Sequence, residues 1–243
     1  MLISERIDFI SKWIKKYANE KKFNLVVGVS GGIDSAVTST LCAKTDIKTI
    51  VVSMPIRQNE KQHNLSLQHI DWLKTNFSNI IDYTINLDDV FNSFKNTMEI
   101  FGSELALANS RSRLRMTSLY HIAQYNKALV VGTGNKVEDF GIGFYTKYGD
   151  GGVDISPIAD CTKTHVWKMG KELGILKKII QAKPTDGLWD DSRNDVDQIG
   201  LNYEQLEEAM KNSKSQYFKK YNQIREANLH KMMPIPVCKF EEE

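Results

Sequence analysis

The sequence predicts an α/β fold in which a doubly wound, mostly parallel five-stranded sheet carries helices on both of its faces. Three observations lead to this prediction. Short apolar, β-branched segments alternate along the chain with segments of helical length and character. Two of the apolar segments end directly in glycine-rich turns. The 243 residues are 41% hydrophobic and 26% charged, which is typical of a folded domain, so residues 1–243 are expected to form a single domain.

The predicted elements follow this alternation from the N-terminus. An amphipathic helix begins at Ile3, because isoleucines recur there at three- and four-residue steps. Strands at 25–29 and 48–53 enclose a helix at 36–43 and form a first βαβ unit. The further elements are helix 62–77, strand 80–85, an arginine-rich helix 105–125, strand 128–131, a glycine-rich loop 141–157, helix 163–173, a polar loop 182–194 and helix 203–210.

Composition excludes several classes of function. A formal charge of +2, from 32 basic and 30 acidic side chains, gives no electrostatic reason to expect nucleic-acid binding. Cys42, Cys161 and Cys238 are scattered, which speaks against a structural zinc site and against a disulfide framework. The first 20 residues mix charged with apolar side chains, unlike a signal peptide or a membrane span. We expect a soluble, cytoplasmic protein with neither nucleic acid nor membrane as a partner.

The turn at residues 30–35, Ser-Gly-Gly-Ile-Asp-Ser, connects the first strand to the first helix after it. It has neither the lysine of a Walker loop nor the Gly-x-Gly-x-x-Gly spacing of a dinucleotide-binding turn. Its glycines, serine hydroxyls and helix N-terminus nevertheless suit an anion such as phosphate. Asp34 would repel phosphate unless a cation lay between them, which predicts Mg²⁺. A capped helix start is the competing interpretation, and the position directly between a buried strand and a helix favours phosphate.

This loop resembles that of the PP-loop ATP pyrophosphatases, which cleave ATP between its α- and β-phosphates. The resemblance implies an adenine nucleotide alpha hydrolase-like fold and ATP as a co-substrate. It assigns ATP contacts to Gly28, Val29, Ser30, Gly31, Gly32, Ile33, Asp34 and Ser35.

Further motifs resemble the NAD synthetase family within this group. Residues 109–116 match its pattern Asn-x-x-x-Arg-x-Arg-Met, which implies that Arg113 contacts deamido-NAD, although Ser112 stands where alanine is usual. By itself, the arginine-rich face could equally be a solvated helix surface. In residues 132–138, the resemblance makes Thr133 an ATP contact and Glu138 the second Mg²⁺ ligand beside Asp34.

The loop at residues 144–154 resembles the NAD synthetase loop almost letter for letter. The resemblance from this loop to the C-terminus implies contacts to deamido-NAD for Lys147, Asp154, His230 and Lys231, and contacts to ATP for Lys163 and Thr185. Met232 departs from the arginine often found there, and Val137 departs from a serine or alanine.

Together these motifs imply a ligase of the ammonia-dependent NAD synthetase family that catalyses the last step of NAD biosynthesis. It would amidate deamido-NAD through an acyl-adenylate and release AMP and pyrophosphate, with Asp34, Lys163 and Glu138 as catalytic residues. Such enzymes are typically homodimers, and from the length of the chain we expect ammonia as the nitrogen donor and no glutamine-hydrolysing domain like that of the larger relatives. The alternatives are another PP-loop amidotransferase or tRNA thiolase, which the scattered cysteines disfavour, and a nucleotide-binding regulator, which the two acidic metal ligands disfavour.

Overall fold

Four short parallel strands form the central sheet of the computed structural model, which describes residues 1–189 and 193–240. They are β1 (Asn24–Gly28), β2 (Thr49–Ser53), β3 (Ile80–Thr84) and β4 (Ala128–Val130), in the spatial order β3-β2-β1-β4. Val26 of β1 lies opposite Ile50 of β2 on one side and Val130 of β4 on the other. Every residue of β2 is buried, as expected for a strand whose two faces are both covered by helices. The predicted α/β fold class is confirmed.

The predicted number of five strands is wrong, because the described residues contain four. Beside β4, the returning chain makes only an isolated parallel bridge between Val131 and Ile155. The backbone N–H of Val130 donates to the Asp154 carboxylate at 2.7 Å, so a side chain takes the place of a strand carbonyl. Two glycines before this bridge and Pro157 after it disfavour a longer ladder at this edge.

Helices lie on both faces of the sheet. In chain order they are α1 (Ile3–Lys21), α2 (Ile33–Ala43), α3 (Glu60–Asn76), α4 (Asp88–Thr97), α5 (Glu104–Asn126), α6 (Lys163–Glu172), α7 (Lys177–Ile180), α8 (Asp195–Ile199), α9 (Tyr203–Lys211) and α10 (Phe218–Met232). A π-helical segment (Lys136–Ile142) follows β4. Its side chains pack with those of α9 and α10 in a separate apolar cluster.

Alternate residues of β1 contribute to two different hydrophobic cores. Leu25 and Val27 pack with α1, α2 and α6 on one face of the sheet. Val26 points to the other face and packs with α4 and α5. This division follows from the two-residue period of a strand, and it explains why β1 consists almost entirely of apolar residues.

The carboxyl ends of β1 and β4 place two turns side by side. β1 leads through residues 29–32 into α2, and β4 leads through residues 131–135 into the π-helical segment. Because β1 and β4 are parallel neighbours, both turns lie at the same edge of the sheet, where ligands bind in folds of this type. Among the described residues, no helix combines the length and the apolar character needed to cross a membrane.

Candidate active site

The turn between β1 and α2 is shaped by glycine geometry and by two serine hydroxyls. Gly31 has a φ of +89°, and a Cβ atom there would lie 2.5 Å from the Gln62 carbonyl oxygen, so glycine is required. The Ser35 hydroxyl donates to the Gly32 carbonyl at 3.0 Å and accepts from the Ser30 N–H at 3.1 Å. No side chain of the described residues caps α2. The first amides of α2 are therefore open to an anion at the positive end of the helix.

Two carboxylates converge on one buried ammonium group at this turn. The Nζ atom of Lys163, at the start of α6, lies 2.5 Å from Asp34 Oδ2 and 2.8 Å from Glu138 Oε1. Asn135 Nδ2 donates to the other Asp34 oxygen at 3.1 Å. Burial lowers the pKa of Lys163, but the charges of Asp34 and Glu138 outweigh that effect and raise the pKa above its usual value. The ammonium group therefore remains charged although its side chain is only 3% exposed.

The Asp34–Glu138 pair suits a magnesium ion that protein and nucleotide bind together. Mg²⁺ prefers oxygen ligands and commonly takes one or two carboxylates, with phosphates and water completing its coordination. Among the described residues, no group of three or more histidine, cysteine, aspartate or glutamate side chains could hold a metal alone. Lys163 Nζ lies between the two carboxylates, which is the position that a shared cation would take.

A cavity of about 420 Å³ opens above this centre. Its size falls within the range of small-molecule binding sites. It is lined by every residue for which the sequence predicted an ATP contact: Gly28, Val29, Ser30, Gly31, Gly32, Ile33, Asp34, Ser35, Thr133, Lys163 and Thr185. Glu138 lines it as well. The fold thus brings these residues together around one cavity, although they come from four separate parts of the chain.

Sequence reasoning missed Tyr203 and Asp195, which adjoin the same centre. The Tyr203 hydroxyl contacts Glu138 Oε1 and Asp195 Oδ2. Lys163 Nζ lies 4.7 Å from the centroid of the Tyr203 ring. Burial, followed by the nearby charge of Glu138, raises the pKa of Asp195 to about 7. Neither residue lies in a recognisable motif, so no local signal in the sequence indicated a role for them.

Two further carboxyl groups that the sequence reasoning passed over, Asp139 and Asp150, also line the cavity. Asp150 accepts hydrogen bonds from the Ser112 hydroxyl at 2.6 Å and from the Thr146 N–H at 3.0 Å. Burial raises the pKa of Asp150, and burial together with the charge of Asp150 raises that of Asp139. Ser112, at the position where the resemblance led us to expect alanine, thus makes a specific contact on the cavity wall.

Four of the five residues predicted to bind deamido-NAD meet beside α5. The Nε atom of Arg113 donates to the Lys147 carbonyl at 3.3 Å, and Lys147 Nζ donates to the His230 carbonyl at 3.2 Å. Lys231 Nζ donates to the Tyr145 carbonyl at 2.8 Å, and the Tyr145 hydroxyl contacts the Lys231 carbonyl in return. These contacts join α5, the glycine-rich loop and the end of α10 in one cluster next to the cavity.

The fifth of these residues, Asp154, has a structural partner on each carboxylate oxygen. The Tyr120 hydroxyl donates to Oδ1 at 3.2 Å and the Val130 N–H donates to Oδ2 at 2.7 Å. Tyr120 follows Arg113 by two helical turns, so both lie on the same face of α5. Asp154 therefore fixes the far end of the loop to the face of α5 that carries Arg113.

Comparison with known proteins agrees with this geometry. A family model described as NAD synthase matches residues 3–239. The NH3-dependent NAD+ synthetase of Carboxydothermus hydrogenoformans is 37% identical over 212 residues, which cover 84% of this chain and 83% of the relative. A solved structure of NMN synthetase from Francisella tularensis has a TM-score of 0.92 and 28% identity, covering 99% of this chain and 100% of that one. The NH3-dependent NAD synthetase from Campylobacter jejuni shares the fold, with a TM-score of 0.79, 22% identity and coverage of 98% and 100%.

Proposed function

The chain belongs to the NAD synthase family and is therefore a ligase that forms a carbon–nitrogen bond, and we propose that it uses ATP and ammonia to amidate deamido-NAD to NAD. One observation carries this proposal. The carboxylates of Asp34 and Glu138 converge beside the open amides of α2, within a cavity lined by all the predicted ATP contacts. That arrangement suits a magnesium-bound nucleotide whose phosphates lie against the 28–35 turn.

We propose that the reaction passes through an acyl-adenylate. A carboxylate is a poor electrophile, so ammonia does not displace its oxygen directly. The pyridine carboxylate attacks the α-phosphorus of ATP, a new oxygen–phosphorus bond forms, and pyrophosphate leaves. Ammonia then attacks the carbonyl carbon of this mixed anhydride and loses a proton, and AMP departs with the bridging oxygen. Catalysis of this kind depends mainly on positioning the reactants and on neutralising their charge.

The proposed roles of the cavity residues follow from their positions. The backbone amides of residues 28–35 bind the phosphates of ATP, and Thr133 donates its hydroxyl to the nucleotide. The Thr185 hydroxyl, which donates to the Arg193 carbonyl at 2.9 Å, turns from that carbonyl to the nucleotide when ATP binds. Magnesium held by Asp34 and Glu138 would neutralise charge on the departing pyrophosphate. Lys163 lies at the same point, and it can transfer its hydrogen bonds from the two carboxylates to phosphate oxygens when ATP binds.

The cluster beside α5 is the proposed site for the second substrate. Arg113 is exposed, and the Nε–H of its guanidinium group donates to the Lys147 carbonyl. The outer nitrogens of Arg113 and the ammonium groups of Lys147 and Lys231 suit the phosphates of a pyridine nucleotide. His230 and Asp154 border the same surface and complete the proposed set.

A second candidate substrate is the mononucleotide, nicotinic acid mononucleotide, whose amidation yields NMN. The observation that favours it is the likeness to the Francisella NMN synthetase, whose TM-score of 0.92 exceeds the 0.79 of the Campylobacter NAD synthetase. The chemistry at the carboxylate is the same for both substrates, since they differ only in the adenylate half of the dinucleotide. Selectivity must therefore come from contacts to that half.

Parallel assays with the two substrates test the proposal. The enzyme is incubated with ATP, Mg²⁺ and an ammonium salt, together with deamido-NAD or nicotinic acid mononucleotide, and AMP, NAD and NMN are quantified. A kcat/KM for deamido-NAD at least about tenfold above that for the mononucleotide supports the first candidate, and the reverse ratio supports the second. AMP formation without either amide would point to another acceptor, and no AMP at all would refute the ligase assignment.

We also propose that the protein is a homodimer. Next to the N-terminal end of α5, Ile100, Phe101 and Leu105 are 84%, 70% and 59% exposed, which is unusual for large apolar side chains. Leu105 lies in α5, the helix that carries Arg113, so a second copy there would lie close to the proposed substrate site. Light scattering coupled to gel filtration should give a mass near twice the 27.7 kDa of the chain. A monomer mass across the micromolar range would contradict the proposal.

A further inference from the structure

The Tyr203 hydroxyl connects two parts of the cavity wall that are distant in sequence. On one side it contacts Glu138 Oε1, and on the other it lies 2.5 Å from Asp195 Oδ2. The backbone N–H of Asp195 donates to the Pro184 carbonyl at 3.0 Å. A chain of hydrogen bonds therefore runs from the proposed metal ligand Glu138 to the residue that precedes Thr185.

Tyr203 is held firmly enough to serve as a fixed point in this chain. It is the first residue of α9 and is 3% exposed. Its ring meets the Trp167 ring edge-on, at 5.7 Å and 89°, and the Asn202 side chain caps α9 by accepting from the Gln205 N–H. Because packing against α6 and capping of α9 both fix the ring, the position of the hydroxyl is set independently of Glu138 and Asp195.

Asp195 depends on this hydroxyl for its hydrogen bonding. Its Oδ1 atom is buried and has no hydrogen-bond partner among the described residues, while Oδ2 bonds to Tyr203. Removing the Tyr203 hydroxyl would leave a buried carboxyl group without a partner, which is unfavourable. Asp195 would then move, and the backbone contact that it makes to Pro184 would weaken with it.

We propose that Tyr203 is a positioning residue that aligns Glu138 with the Thr185 segment, so that the carboxylate for magnesium and the hydroxyl for ATP are set together. The inference rests on the proposed function, because it takes Glu138 and Thr185 as ligands of Mg²⁺ and ATP. Tyr203 itself need not touch either substrate. Its effect passes through Glu138 on one side and through Asp195 and Pro184 on the other.

The test uses Tyr203→Phe, which removes the hydroxyl and keeps the ring that packs on Trp167. Loss of one hydrogen bond to a charged group predicts that the half-saturating Mg²⁺ concentration and the KM for ATP both rise about tenfold. We expect kcat at saturation to fall less than about threefold, since the catalytic groups remain. Hydrogen exchange of the backbone amides in α8 should accelerate by about tenfold, because Asp195 loses its anchor.

Variants of Asp195 test the other end of this chain of hydrogen bonds. Asp195→Ala should raise the half-saturating Mg²⁺ concentration and the KM for ATP and accelerate exchange in α8, as Tyr203→Phe does. Asp195→Asn keeps polar groups opposite the Tyr203 hydroxyl, so each of these three quantities should stay within about threefold of its wild-type value. The double variant, Tyr203→Phe with Asp195→Ala, should resemble either single variant, because both break the same chain of bonds. Tyr221→Phe is the matched control. Tyr221 is a buried tyrosine whose hydroxyl donates to the Gly141 carbonyl. Arg225 donates to the same carbonyl, so loss of the Tyr221 hydroxyl should change none of the measurements.

The proposal is overturned if Tyr203→Phe accelerates exchange in α8 while the Mg²⁺ requirement and the KM for ATP stay unchanged. Multiplicative effects in the double variant, about 100-fold, would also overturn it, because the two residues would then act independently. Should Tyr203→Phe fail to fold, the contrast between Asp195→Ala and Asp195→Asn decides the question. Calorimetric titration of Mg²⁺-ATP into each variant separates this inference from the proposed function, since it measures binding even if no AMP is formed.

Discussion

Replacing Lys163 with methionine should destabilise the protein through the two carboxylates that lose their counter-ion. The Lys163 side chain is 3% exposed, and its Nζ atom lies 2.5 Å from Asp34 and 2.8 Å from Glu138. Removing one partner from a buried ion pair typically costs about 3–5 kcal/mol. The lower end, about 3 kcal/mol, applies here because the two carboxylates keep 17% and 15% of their side-chain surface exposed. For a chain of this length that corresponds to a melting temperature lower by about 6–12 °C.

Magnesium should restore much of the lost stability in Lys163→Met and should have little effect on the stability of the wild type. In the wild type, Mg²⁺ must compete with the ammonium group for Asp34 and Glu138, whereas in Lys163→Met it meets two uncompensated carboxylates. An ion at about 100 times its dissociation constant stabilises the folded state by about 2.7 kcal/mol. Thermal unfolding in EDTA and in millimolar MgCl2, without nucleotide, measures both effects.

The matched control is Lys136→Met. Lys136 pairs with Asp160 at 2.6 Å, but the two side chains are 44% and 89% exposed. Exposed ion pairs contribute about 0–1 kcal/mol, so this variant should melt within about 4 °C of the wild type and should not respond to Mg²⁺. A Lys163→Met variant that behaves like this control would refute the reasoning, because Lys163 would then not be compensating the two carboxylates.

Three further predictions concern single side chains. Asp34→Ala should abolish conversion of ATP to AMP while the circular dichroism spectrum is preserved, and full activity in this variant would contradict its assignment as a metal ligand. Gly31→Ala places a Cβ atom 2.5 Å from a backbone carbonyl at a φ of +89° and should lower stability to urea by about 1–3 kcal/mol, more than Gly174→Ala, which has a φ of +72° but open space around it. Burial lowers the pKa of His69 to about 4, so the unfolded chain takes up this proton near pH 6.5 but the folded protein does not. Stability should therefore fall by about 2–3 kcal/mol between pH 6.5 and 4.5, and urea unfolding of His69→Gln should show a smaller fall.

Most secondary structure was predictable because its signal is local. The first two strands, predicted at 25–29 and 48–53, are found at Asn24–Gly28 and Thr49–Ser53. The helices α4 and α10 were not predicted. Each has one buried residue, Phe91 in α4 and Tyr221 in α10. The periodic apolar pattern of α10 is weak, whereas α4 has a clear amphipathic pattern that was overlooked.

The proximity of the residues proposed to bind ATP was predictable for a related reason. The turn at 30–35 and the segment containing Thr133 and Glu138 each follow directly after a strand, and parallel neighbouring strands bring such turns together. Tyr203 gave no comparable signal. It reaches Glu138 across 65 residues through the packing of α9 against the rest of the fold, and a single tyrosine at a helix start carries no information about that contact.

The sequence alone determined the chemistry of each local segment: a glycine turn open to phosphate, a carboxylate beside it, and a second carboxylate after another strand. These features depend on backbone conformations and side chains within a few residues, so they can be interpreted without the fold. The tertiary structure decided how the resulting charges are balanced. Lys163 neutralises Asp34 from 129 residues away, and Tyr203 links Glu138 to Asp195. Electrostatic and hydrogen-bonding energies depend on distance in space, and that distance is set only when the chain has folded.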